Sequence, residues 1–196
     1  MTINRLVWIA LAGLIVFVGY RETLSGAKES GVQAGIPPET VADYVHAVIE
    51  SDRTFYTIHV VERMQAKGIV VASENWLAGN TLPLPAQFLM ESARLSAMTG
   101  AKIGYRLISL WPINEQNGPG MEFERTGLKD VLANPDRPYT GFTTSHEGRS
   151  FQAVYSDRAV SQTCIGCHNA HPRSPKRDFE MNDVMGGIVI TIPMGP

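Results

Sequence analysis

Cysteine is scarce in this chain: there are two in 196 residues. Whatever thiol chemistry the protein performs is therefore confined to one paired site. Charge is thin as well, with 17 basic against 19 acidic residues and a formal net charge of −2. That balance excludes the basic stripe a nucleic-acid binder needs. Blocks of like charge, low-complexity tracts and internal repeats are absent. So are a Ser/His/Asp order, a second metal cluster and a phosphate-binding glycine loop, which leaves an enzymatic role without support. Long apolar runs are missing except for one at the N-terminus.

The two cysteines stand together in Cys164-Ile165-Gly166-Cys167-His168. C-x-x-C-H is the attachment pattern of a c-type haem. Two thiols three residues apart reach the two vinyl groups of one haem, and the adjacent His168 is held under the iron as the proximal ligand. Thioether bonds fix the cofactor, so a small domain need not enclose it completely. Three other readings compete. A thioredoxin-like pair should open a helix after an early strand, whereas this motif lies in the last fifth of the chain. A zinc site from Cys164, Cys167, His168 and His171 would crowd four ligands into eight residues. A C-x-x-C disulfide would close a small ring and constrain little chain entropy.

Leu6 to Tyr20 is an uncharged run, LVWIALAGLIVFVGY, between Arg5 and Arg21. Extended back to Ile3 it reaches about 18 residues, enough for a single span with snorkelling ends. No clean A-x-A site follows, so residues 1–21 are expected to be an uncleaved membrane anchor, with a cleaved signal sequence as the alternative. Either way the rest of the chain lies across the membrane, in the periplasm or its equivalent, where haem c is attached. Residues 22–37 are rich in small residues and form a linker. Residues 38–196 form one domain. Pro37-Pro38-Glu39 starts a helix that runs to about Met64, with Val41, Val45, Val48, Ile49, Phe55, Tyr56 and His59 on one apolar face. A second helix starts at Pro85 and ends at Gly100, and a third covers Glu122 to Ala133. Tyr105 to Leu110 is a strand, Tyr139–Ser145 and Ser150–Tyr155 a hairpin, and Gly187 to Ile192 a final strand. Cys164 to Asp178 is expected to be mostly loop. The class is α+β.

Several segments resemble the family of haem-c PAS-like domains found in a cyanobacterial cytochrome and in bacterial sensor proteins. They are Arg53-Thr54-Phe55-Tyr56-Thr57 with Val60-Val61, Leu84-Pro85-Ala86-Gln87-Phe88, and Ser109-Leu110-Trp111-Pro112-Ile113-Asn114. The block Cys164 to His168 with Asn169-Ala170-His171-Pro172, then Ser174 to Phe179 and Asp183 to Gly187, complete the pattern. The resemblance implies a PAS-like antiparallel sheet flanked by helices, with one covalent haem. The cyanobacterial member uses a cysteine on the far side of its haem. Here both cysteines belong to the attachment motif, so that ligand cannot be carried over.

Candidates for the far side are His46, His59, Met64, Met98, His146, His171, Met181 and Met185. His59 sits in the apolar stripe and is the preferred distal ligand, with Met64 as the alternative; an open or water-filled site is the third option. His46 projects near Arg53 and is expected at the surface. His171 is too close to His168 to reach the opposite face, and is expected to bond a propionate or a loop carbonyl. Trp111 and Phe88 are candidate haem walls. Arg94, Lys102, Arg106, Lys176 and Arg177 are candidate propionate partners.

The expected function is a membrane-anchored monohaem c-type cytochrome that passes single electrons to a redox partner protein or membrane complex. No kinase, cyclase or coiled-coil output follows the last strand, which favours a carrier. The alternatives are a redox or gas sensor acting through a partner, and an accessory subunit of a larger membrane complex.

Overall fold

The computed structural model describes residues 35–100, 102–146 and 148–195. The expected anchor, and the linker up to residue 34, lie outside them. Among the described residues no helix is long and apolar enough to cross a membrane.

The domain opens with a long helical run. Helix α1 spans Pro38–Phe55, with Pro38 at its first position and Glu39 in its first turn. A proline there gives up no hydrogen bond, and a carboxylate suits the positive end of the helix dipole. The run continues as a π-helical segment, Tyr56–Glu62, and closes with α2, Arg63–Ala66. Gly68 follows with φ of 64°, a conformation glycine adopts without a Cβ clash. Two short strands, β1 (Ala72–Ser73) and β2 (Leu82–Pro83), pair in parallel. Helix α3 (Pro85–Met98) begins at a second proline, and the Gln87 side chain caps its start by accepting from the Leu84 N–H at 3.0 Å.

The main sheet contains β3 (Gly104–Ile108), β4 (Tyr139–Ser145), β5 (Gly148–Arg158) and β6 (Val184–Pro193). It is antiparallel throughout, in the order β3-β6-β5-β4. Helix α4 (Glu122–Ala133) lies between β3 and β4 in sequence. This is the expected α+β class, and the hairpin and final strand stand where the alternating pattern put them.

Side-chain alternation along the strands builds two cores. Phe151, Ala153, Tyr155, Ile188 and Ile190 point to one face, where Ala42 of α1 and Leu89 of α3 cover them. Val154, Val189 and Ile108 point to the other face, under Leu128 and Val131 of α4. Each fully buried aliphatic side chain there stabilises the fold by roughly 1.5–3 kcal/mol. Helix α4 packs close because residue 127 is glycine: a Cβ there would stand 2.7 Å from Val154 Cγ2. A third cluster, Ala159, Phe179 and Met185 with Trp111, Cys164 and Ile165 against it, sits at one end of the sheet.

Two expectations need correcting. The apolar stripe of the long helix holds only in part: Val45 and Ile49 pack against the core as expected, but Val48, Phe55 and His59 do not. Ala42, Arg53, Thr57 and Val61 are inside, while Val48 and Phe55 are each 62% exposed and His59 is exposed. The cause is polar: Arg53 forms a buried ion pair with Asp157 on β5, and the Thr57 hydroxyl donates to the Arg53 carbonyl at 2.7 Å. The second correction is that Gln162–Ala170 is helical rather than loop (α5). Ser161 caps it by accepting from the Thr163 N–H at 3.1 Å, and the prolines lie beyond its end.

Candidate functional site

Helix α5 is the centre of the site. Its one-turn spacing places Cys164, Cys167 and His168 at i, i+3 and i+4, on one side of the helix. All three line a cavity of about 1220 Å³. Arg53, Val61 and Gln65 contribute from the long helix, Trp76 and Leu77 from the loop after β1, and Met90 from α3. Ile108 and Trp111 line it from β3 and its following turn, and Asp157 from the end of β5. Register shifts between Asp157 and Arg158, so a bulge interrupts the ladder where the strand reaches the cavity.

Both cysteines are free thiols. Burial pushes the Cys167 thiol up, and the charges of Glu74 and Cys164 add to that. Burial pushes the His168 pKa down, against the attraction of Asp157 and with the help of His171. The His168 Nδ1 is buried and has no protein partner. The ring meets Phe179 edge-on, with centroids 5.8 Å apart and planes at 89°. Asn169 holds Phe179 in place from the same helix. Its Nδ2 donates to the Phe179 carbonyl at 2.9 Å, and its Oδ1 accepts from the Phe179 N–H at 3.0 Å. Trp111 packs on Phe179 at 5.9 Å, and its N–H donates to Ser109 Oγ, which in turn donates to the Met185 carbonyl at 2.7 Å.

The Arg53–Asp157 pair forms the floor beside His168. Burial pushes the Asp157 carboxyl up, and Arg53 pulls it back. Burial disfavours the Arg53 charge, yet Asp157 and Glu50 together keep its pKa above the ordinary value. At the mouth, Glu74 gathers several partners. Arg173 donates to both of its carboxylate oxygens, at 3.1 and 3.2 Å, and His171 Nε2 stands 3.3 Å from one of them. Gln87 Nε2 donates to the Glu74 carbonyl at 2.8 Å. Glu74 thus ties the loop after β1 to the start of α3 and to the segment leaving α5.

Of the residues singled out from sequence, Cys164, Cys167, His168, Trp111, His171 and Met185 meet at this cavity. Phe88 stacks instead on Tyr56, at 4.4 Å, and is not among the cavity walls. His59 and Met64 are not either; His59 packs beside exposed Phe55, its ring 4.9 Å away. The rotation of the buried helical face accounts for this, since it turns Val61 and Gln65 toward the cavity in their place. His171 bonds Glu74. The five proposed propionate partners lie off the cavity, where Arg53, Arg158 and Arg173 stand. His46 is not a surface residue: it stacks on Tyr155 at 3.9 Å with planes 7° apart, and burial lowers its pKa to about 4. Sequence reasoning also missed Asn169, Glu74 and the Arg53–Asp157 pair. Asn169 and Arg53 fall inside the family-like blocks, but their partners lie 10 and 104 residues away.

Among the described residues no group of three or more His, Cys, Asp and Glu side chains is arranged to hold a bare metal ion. The Tll0287-like family model matches residues 33–193, most of the chain. The chain belongs to the Tll0287-like family. In three dimensions it is similar to a cyanobacterial heme protein, Tll0287, known from a crystal structure. The match covers 81% of this chain and 97% of that one, at 19% identity and a TM-score of 0.50. At that identity the likeness concerns the fold alone. No curated protein matches.

Proposed function

We propose that this protein is a membrane-anchored monohaem c-type cytochrome that carries single electrons on the periplasmic side. The observation that carries the reading is the placement of both free thiols and an imidazole on one helical turn in the wall of a large cavity. Haem c would supply a one-electron iron couple. Cys164 and Cys167 would hold it through thioethers, and His168 would bind the iron through a ring nitrogen.

The residues present fit such a group. Leu77 and Met90, 81% and 36% exposed, are large apolar side chains among the cavity walls. Three lining residues, Arg53, Gln65 and His168, each carry a buried polar atom with no protein partner. The likeness to a heme protein, and membership of its family, point the same way. Phe179, clamped by Asn169, restricts rotation of the His168 ring. The buried Arg53–Asp157 pair keeps compensated charge beside the site, a setting that tunes a redox potential. In this reading Leu6–Tyr20 is the anchor.

One feature favours sensing as a second reading. The helix that lines the cavity through Val61 is π-helical there, and π segments recur at functional sites. In a sensor this segment would pass a change at the site to a partner protein.

The test is a haem stain on a denaturing gel, using protein matured with a c-type assembly system. The wild type should keep its stain, and Cys164→Ala with Cys167→Ala should lose it. An unstained wild type ends the c-type reading. CO then separates the two roles: a low-spin haem indifferent to CO supports a carrier, and a haem that binds CO readily supports a sensor.

A further inference from the structure

The iron in this reading has a proximal ligand but no assigned partner on its far side. The cavity walls contain few side chains with a suitable donor atom. Beyond Cys164, Cys167 and His168, the imidazole and thioether groups among them are His171, Met90 and Met185. His171 follows His168 by three residues, and both its ring nitrogens are engaged. Nε2 is 3.3 Å from Glu74, and Nδ1 accepts from the Arg173 N–H at 3.2 Å. Met185 is buried with Ala159 and Phe179, in the cluster that Cys164 and Ile165 pack against. It therefore stands on the attachment side of the cavity.

Met90 differs in both respects. It comes from α3, whose Leu89 belongs to the core with Ala42 and Phe151 rather than to the cluster that Cys164 and Ile165 pack against. The cavity is thus lined by Met90 of α3 as well as by Cys164, Cys167 and His168 of α5. Met90 is exposed rather than locked in packing. Thioether sulfur is an established partner for histidine at a c-type haem iron, and it raises the reduction potential relative to two histidines.

We propose that Met90 is the sixth ligand of the haem iron, opposite His168. The assignment rests on the haem-c reading above. Methionine is unbranched, with three rotatable bonds and a polarisable thioether, so its side chain adapts to an irregular site. It also places the far ligand on a helix whose start is tied to the cavity mouth through Gln87 and Glu74.

The experiment compares ferric spectra of the haem-loaded wild type, Met90→Leu, Met90→His and Met64→Leu. The wild type should be low-spin with a far-red sulfur-to-iron charge-transfer band. Met90→Leu should lose the band, turn high-spin and bind CO in the ferrous state. Met90→His should be low-spin without the band and have a lower reduction potential. Met64→Leu should match the wild type. A band that survives in Met90→Leu, or a loaded wild type that lacks one, overturns the assignment while leaving covalent haem intact. A wild type that takes up no haem defeats the c-type reading and this assignment with it. Met90 is exposed, so both replacements should fold, and covalent stain in each variant verifies it.

Discussion

The two halves of the long helical run meet the rest of the domain on different terms. From Ala42 to Ile49 the helix presents small and aliphatic groups to the sheet, and they join one apolar core with Leu89, Phe151 and Ile190. From Arg53 to Gln65 it presents a guanidinium, a hydroxyl, a valine and an amide, and the α-helical turn gives way to a π segment. The first half secures the fold and the second half faces the cavity. Uniform packing would make the helix stiffer and more stable. The polar half instead keeps charge and hydrogen-bonding groups at a buried site, where they act on whatever the cavity holds.

The sharpest way to break this contrast is at Arg53. Arg53→Met leaves the Asp157 carboxylate buried without its partner and should cost about 3–5 kcal/mol. Arg53→Met with Asp157→Leu should recover most of the loss, because an apolar pair of similar volume replaces the ion pair. Chemical denaturation of the three proteins measures it, and additive losses in the double variant would show that the two residues do not act as a pair.

In the apolar half, Ala42 has no room to grow. Ala42→Leu should cost about 1–3 kcal/mol through overpacking against the sheet. A neutral result in the same denaturation assay would mean that the helix can lift from the core.

His46 lies within the apolar half, stacked on Tyr155, with its pKa lowered to about 4 from the ordinary 6.5. Between those values the unfolded chain binds a proton that the folded one refuses. The contribution is therefore complete above pH 6.5 and is lost as pH falls toward 4. His46→Phe keeps the stack and removes the proton, so its stability should depend less on pH across that window. Identical slopes for variant and wild type would exclude His46 as the source.

The smallest effect should come from the stripe that the sequence pattern favours. Phe55→Ser lies on the exposed side and should change stability by no more than about 0.5 kcal/mol. A loss of several times that would mean that another surface covers this side.

How much was legible in advance follows from which contacts are local. The strands, the hairpin, the proline-started helices and the end of α4 rest on spacing and turn chemistry within a few residues. The Cys164–His168 pentapeptide is likewise self-contained, so its position could be read without a fold. The helical face could not. Periodicity counts Phe55 and His59 as inward because they are apolar or lie among apolar neighbours. The buried partner that rotates the helix, Asp157, lies 104 residues beyond Arg53. The same rotation moves His59 and Met64 off the cavity and brings in Val61 and Gln65.

The sequence by itself determined the α+β class, the antiparallel hairpin and the place of the two thiols and their histidine, because each depends on neighbours along the chain. Only the tertiary structure decided which side of the long helix is buried, that the segment from Gln162 to Ala170 is helical, and that Met90 and Trp111 share a cavity with His168. Those outcomes depend on groups far apart in sequence, whose desolvation and pairing are settled only when the sheet brings them together.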